Sequence, residues 1–201
     1  MVAETRVKIC GLRDPRAARA AVAAGADMIG VALSPSRRMV GLELAAEVLA
    51  EASERVVKVG VFVDPSLEEV VAAVEAAGIQ AAQLCGSESP DFCRSLGVPA
   101  IKSFRIGADG VRPQPDDYPG PLHHVDAPNA LGGAGLEWDW SLAAELAARY
   151  EVLLAGGLNP ENVGRAILAA SPWGVDVSSG VETGGVKDLD KILRFIEAAK
   201  R

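Results

Sequence analysis

The chain has 201 residues, 49% of them hydrophobic and 23% charged, which suits a globular fold with a sizeable core and excludes disordered and collagen-like classes. A formal net charge of -7 leaves no basic stripe, and aromatic residues at only 4% offer little to stack on bases, so no nucleic-acid partner is expected. No run approaches the roughly 18 apolar residues of a membrane span, and Met1 to Arg6 carries no apolar leader, so a cytoplasmic protein with no membrane partner is expected.

Short β-branched runs alternate with longer amphipathic stretches about eight times, the pattern of a parallel sheet. The first predicted strand, Arg6 to Cys10, is followed by Asp14-Pro15, an N-cap residue with proline at the first helical position. Met28 to Ala32 and Val56 to Phe62 are the next strands. Ser66 with Glu69 then makes a capping box, and Leu67, Val70, Val71, Val74 and Ala77 recur at helical spacing as an apolar stripe. Ala81 to Leu84 precedes a second cap, Ser89-Pro90, and Ala100 to Phe104 is the fifth strand. Gly107 to Pro121, rich in Pro, Gly and Asp, breaks the alternation where a helix should join strands five and six. Leu122 to Asp126, Val152 to Ala155 and Gly174 to Val177 complete the strands, with Asn159-Pro160 marking another helix start. No linker or low-complexity tract divides the chain, so residues 1–201 read as one α/β domain, a single (β/α)8 TIM barrel with its fifth helix missing or vestigial. A doubly wound open sheet shares the same alternation.

Three cysteines without C-x-x-C spacing suit neither a disulfide framework nor a zinc site. His123 and His124 are adjacent and would point to opposite faces of a strand, so no metal is expected.

Barrel chemistry gathers at the C-terminal ends of strands. Cys10 closes the first strand and Asp126 the sixth; their ordinary readings are a small buried side chain and a loop cap. Gly156-Gly157 and Ser178-Ser179-Gly180 end the last two strands, where backbone N–H groups of barrels often hold phosphate, against readings as a tight turn and a helix cap. A third glycine segment, Gly132-Gly133-Ala134-Gly135, lies in a loop after Asp126 long enough for a lid, or for a merely exposed loop. Arg37 and Arg38 follow the second strand, either solvated or as a fork for a substrate carboxylate.

With Val7-Lys8-Ile9-Cys10-Gly11, Gly60-Val61-Phe62-Val63, Gln83-Leu84-Cys85-Gly86, Asp139-Trp140, Leu154-Ala155-Gly156-Gly157-Leu158-Asn159-Pro160-Glu161-Asn162-Val163 and Val175-Asp176-Val177-Ser178-Ser179-Gly180-Val181-Glu182 in this order, the chain resembles the phosphoribosylanthranilate isomerases of tryptophan biosynthesis. The resemblance implies Cys10 as catalytic base, Asp126 as catalytic acid and Arg38 as the receiver of the anthranilate carboxylate, with Gly133 in a supporting loop. It also implies a barrel without a regular fifth helix. The chain departs from the family's usual pattern at Cys85, where His is usual, at Arg37, where Pro is usual, and at Ala134, where Thr is usual.

The implied reaction is an Amadori rearrangement of a small phosphorylated substrate, needing an acid and a base and no redox cofactor. Environment must shift both groups, since a free thiol titrates near ~8.5 and a free carboxyl near ~3.9. Lys8, two residues before Cys10, shares its strand face and is expected to favour the thiolate, with Asp176 neutralising Lys8; a purely structural ion pair is the other reading. Competing functional readings are the related histidine-pathway isomerase, expected to carry Asp at position 10, a sugar-phosphate epimerase, and a phosphate-binding barrel without turnover. A monomer or a homodimer fits equally.

Overall fold

Eight parallel strands form the structure's centre: β1 (Arg6–Ile9), β2 (Met28–Ala32), β3 (Val57–Phe62), β4 (Ala81–Leu84), β5 (Ala100–Gly107), β6 (Leu122–Asp126), β7 (Glu151–Leu154) and β8 (Gly174–Val177). The structure is a computed structural model and describes residues 4–107, 110–127 and 138–201. Each strand pairs in parallel with its sequence neighbours, β8 pairs with β1, and β4 pairs with β5, so the sheet closes on itself and the open-sheet alternative falls. Closure removes unpaired edges and turns one side of every strand inward.

Around the barrel lie α1 (Pro15–Ala24), α2 (Leu42–Ala50), α3 (Leu67–Ala77), α4 (Pro90–Ser95), α5 (Ala144–Ala147), α6 (Val163–Ala170) and α7 (Leu189–Ala199). The expected caps at Asp14 and Ser89 form, each accepting a backbone N–H of the first turn, and Ser66 and Glu69 make the reciprocal capping box. Two helical details differ from expectation. Asn159 caps a turn, accepting from the N–H groups of Glu161 and Asn162, and α6 begins only at Val163. The stripe of α3 is also rotated: Val70, Ala73 and Ala77 are buried while Leu67 and Val71 are exposed, because the small Ala73 lets the helix sit close to the sheet.

Between β5 and β6 the described residues hold a short antiparallel strand, Gly110–Arg112, and a 3-10 turn, Pro115–Asp117, in place of a helix. Aromatic edges cover the barrel there. Phe104 meets Tyr118 and His123 edge-on at 5.5 and 4.9 Å, and His123 meets Tyr150 at 4.8 Å. His123 therefore faces outward, and burial among its aromatic neighbours pushes its pKa down.

Inside the barrel, Met28, Val59, Ala81 and Ile101 pack together near the N-terminal ends of the strands as an apolar floor. Above that floor the inward side chains become polar: Lys8, Gln83, His124 and Asp176 are all buried. Burying polar groups is costly and they gather here at the end of the barrel where such folds carry their chemistry, so this change of character marks the candidate site.

Candidate active site

Cys10 follows the last residue of β1 and is held on β8 by two contacts: its N–H donates to the Val177 carbonyl at 2.9 Å, and the Ser178 hydroxyl donates to its carbonyl at 3.1 Å. The thiol is half-buried. Gly30 on β2 leaves room for Lys8 and Cys10 to stand one above the other; a Cβ there would lie 3.2 Å from Lys8 Cε and 3.5 Å from Cys10 Sγ.

Lys8 and Asp176 are register partners across β1 and β8, and their charged ends meet at 3.0 Å. Burial opposes both charges. Their mutual attraction, joined by Cys10 acting on Lys8 and by His124 acting on Asp176, outweighs it, so the Lys8 ammonium is held above the usual lysine range and the Asp176 carboxyl well below the usual carboxylate range. For Cys10 the balance runs the other way from the sequence expectation. Loss of solvent pushes the thiol up, the attraction of Lys8 and Lys187 pulls it down, the charge of Asp176 adds to the rise, and the net direction is up. Lys8 moderates the thiol without making it a resting thiolate.

Asp126 ends β6 with a half-buried carboxylate whose Oδ1 accepts its neighbour Ala127's N–H at 2.7 Å. Gly156, at the end of β7, closes against it with φ of 88°: a Cβ there would lie 2.9 Å from Asp126 Oδ1 and 2.6 Å from the Trp138 indole nitrogen. Gly157 follows with φ of 70°. On the next loop, Ser179 to Val181 form a 3-10 turn, and Gly180 is pressed so closely on Leu158 that a Cβ would overlap the Leu158 carbonyl. The two glycine segments therefore make one surface beside the rim, and the backbone N–H groups of Gly157, Ser179 and Gly180 carry no hydrogen bond among the described residues. Gly133 lies outside the described residues.

Arg38 is brought to the same rim by a partner that sequence reading missed. Its Nε and Nη2 donate to both oxygens of Glu182, at 2.6 and 3.0 Å, and Lys187 Nζ lies 3.0 Å from the same carboxylate and donates to the Ser178 carbonyl at 2.8 Å. Glu182 and Lys187 face each other across a two-stranded hairpin after β8, so their pairing depends on a register that a linear sequence conceals. Burial pushes the Glu182 carboxyl up, but hydrogen bonds from Arg38 and Lys187 prevail and hold it at about 2. Arg37 is more than half exposed and reaches Glu182 only at 3.6 Å.

His124 was also missed as a site residue, although it shares a strand face with Asp126 by simple alternation. It turns inward: Nε2 lies 3.1 Å from Asp176 Oδ2 and Nδ1 lies 3.0 Å from the Ser103 hydroxyl, its register partner on β5. Ser103 in turn meets the Cys85 thiol at 3.1 Å.

The site thus offers a thiol, a carboxylate, a fixed guanidinium and a glycine-lined surface at the C-terminal rim of one barrel. A family model described as N-(5'phosphoribosyl)anthranilate (PRA) isomerase matches residues 7–198. The N-(5'-phosphoribosyl)anthranilate isomerase of Desulforudis audaxviator is 44% identical, with 98% of each chain covered. The crystal structure of phosphoribosyl anthranilate isomerase from Thermus thermophilus superposes with a TM-score of 0.87 at 37% identity, covering 96% of this chain and 98% of that one. A phosphoribosyl anthranilate isomerase in complex with reduced 1-(o-carboxyphenylamino)-1-deoxyribulose 5-phosphate gives 0.83 at 34% identity, with 98% of each chain covered. Fold, rim chemistry and sequence agree along nearly the whole length, and the chain belongs to the N-(5'-phosphoribosyl)anthranilate isomerase family.

Proposed function

We propose that the chain catalyses the Amadori rearrangement of N-(5'-phosphoribosyl)anthranilate to 1-(2-carboxyphenylamino)-1-deoxyribulose 5-phosphate, a step of tryptophan biosynthesis, with Asp126 as general acid and Cys10 as general base. Asp126, in its protonated form, gives its proton to the furanose ring oxygen, the C1–O bond breaks, and the nitrogen lone pair forms the C1–N double bond of a Schiff base. Cys10 thiolate then removes the C2 proton, the electron pair moves between C1 and C2, and the resulting enolamine tautomerises to the ketone. No electrons leave the substrate.

The observation that carries this reading is a half-buried thiol and a half-buried carboxylate at one barrel rim, beside two glycine segments pressed into a single surface, in a chain of this family. The phosphate is assigned to backbone N–H groups of Gly157, Ser179 and Gly180, with Gly156 and Ser178 shaping the two loops. Arg38 is assigned to the substrate carboxylate. Glu182 takes the Nε–Nη2 side of its guanidinium, so the substrate would meet Nη1 and the outer face of Nη2.

The test is replacement of each proton-transfer group. Cys10→Ser and Asp126→Asn are each expected to lower kcat by about 10²- to 10⁴-fold while product still binds. Serine keeps the size of the thiol and is too weak an acid to supply a base. A folded Cys10→Ser protein with wild-type kcat would overturn the assignment.

A further inference from the structure

The carboxylate of Asp176 is used at both oxygens, Oδ1 by Lys8 at 3.0 Å and Oδ2 by His124 at 3.1 Å. An ionised carboxylate only accepts, so Nε2 of His124 must carry hydrogen. The Ser103 hydroxyl lies 3.0 Å from Nδ1 of His124 and 3.1 Å from the Cys85 thiol. The Cys85 sulfur accepts from the Gln83 amide at 3.4 Å. The chain of contacts runs from β4 through β5 and β6 to β8 and ends on Asp176.

We infer that His124 is a positioning residue for Cys10: by holding one oxygen of Asp176 it keeps the other turned on Lys8, and so keeps the ammonium beneath the thiol. The inference rests on Cys10 being the base. Geometry gives the reason. Without the imidazole, Oδ2 is a buried charged acceptor with no partner on β6, and the other donor that meets Asp176 among the described residues is the Lys8 ammonium. An ammonium drawn to both oxygens moves off the sulfur. The other charged and titratable groups facing Cys10 are Lys187 from the hairpin after β8 and, farther off, Cys85 just past the end of β4. Neither occupies the place of Lys8 on the same strand.

The first measurement uses the unaltered enzyme. The chain contains two histidines, so ¹⁵N labelling of histidine and long-range ¹⁵N–¹H correlation gives the tautomer of each ring. His124 is expected to carry hydrogen on Nε2; hydrogen on Nδ1 alone would overturn the inference. The second uses His124→Leu and His124→Gln, following the pH dependence of Cys10 alkylation by iodoacetamide through mass spectrometry of the Cys10 peptide. His124→Leu is expected to raise the alkylation midpoint by about half a pH unit or more, an about threefold or greater loss of thiolate and of kcat/KM below the midpoint, with KM little changed. His124→Gln keeps an N–H to donate to Asp176 and is expected to restore the midpoint. An unchanged midpoint in His124→Leu, or no recovery in His124→Gln, would refute the positioning role. Should the leucine variant not fold, the tautomer and the glutamine variant decide. If Cys10→Ser keeps its turnover, the base assignment fails, while tautomer and alkylation still read the His124 chain separately.

Discussion

Replacing Gly180 by alanine puts the proposed phosphate surface under a defined strain. The added Cβ would lie 2.8 Å from the Leu158 carbonyl carbon and 3.1 Å from Asn159 Cα, with the Leu158 carbonyl oxygen nearer than either, where ordinary contacts begin at 3.4 Å. All three atoms belong to backbone, so no side chain can swing aside and the two loops must separate by roughly 1 Å. A displacement of that size at a positioning group is worth about 10² in rate, and overpacking of a rigid contact typically costs about 1–3 kcal/mol of stability. We expect Gly180→Ala to fold with a lowered Tm and to lose about 10²-fold in kcat/KM, much of it in KM, because phosphate is the non-reacting end of the substrate. The assay is loss of substrate fluorescence under steady-state conditions, with calorimetric titration of product. Gly164→Ala is the control: a Cβ there meets nothing within 4 Å on α6, so unchanged kinetics and equal or slightly greater stability are expected. A folded Gly180→Ala with KM within twofold of the parent would show that the two loops do not jointly hold the phosphate.

Three further outcomes follow from the charges at the rim. Arg38→Ala should raise KM about tenfold or more, and Arg37→Ala about twofold or less, because only Arg38 is fixed by a bidentate pair; the reverse order in steady-state kinetics would reassign the carboxylate site. Glu182 is held at about 2, below its unfolded value near 4.5, so its stabilisation is fully present above about pH 4.5 and disappears as pH falls toward 2. Urea unfolding should therefore show a loss on the order of 1–2 kcal/mol across that window, allowing for solvent screening of a partly exposed cluster, and Glu182→Gln should flatten it; parallel pH profiles would contradict this. The raised Cys10 thiol places the base limb of kcat/KM above the ordinary thiol range, so the rate should still climb with pH beyond neutrality, and a plateau already reached at pH 7 would be inconsistent with it.

The barrel was legible because β-branched runs and capped helices alternate with little interruption, and because strand alternation alone puts Lys8 under Cys10. Even the missing fifth helix is visible in the Pro, Gly and Asp of its segment. What the linear order hides is contact across the barrel. Glu182 reads as one more acidic residue until a hairpin and the loop after β2 converge on it. His124 reads as half of a histidine pair until β6 is set beside β5 and across from β8. The direction of the Cys10 shift was equally invisible, since a nearby lysine is apparent in sequence while the solvent lost around the sulfur is not. On α3, periodicity found a helix but misplaced its buried face, because Ala73 counts little in a hydrophobic stripe and much in close packing.

The ion pair between Lys8 and Asp176 joins residues 168 apart in sequence, and the same seam between β1 and β8 holds the backbone of Cys10. The first strand is sealed on that side only once the last one is in place, so closure of this seam, which spans nearly the whole chain, is expected late in folding. The groups assigned to proton removal are therefore completed by the final stitch of the barrel, and recovery of turnover after dilution from denaturant should lag behind recovery of helical circular dichroism, reporting ring closure itself.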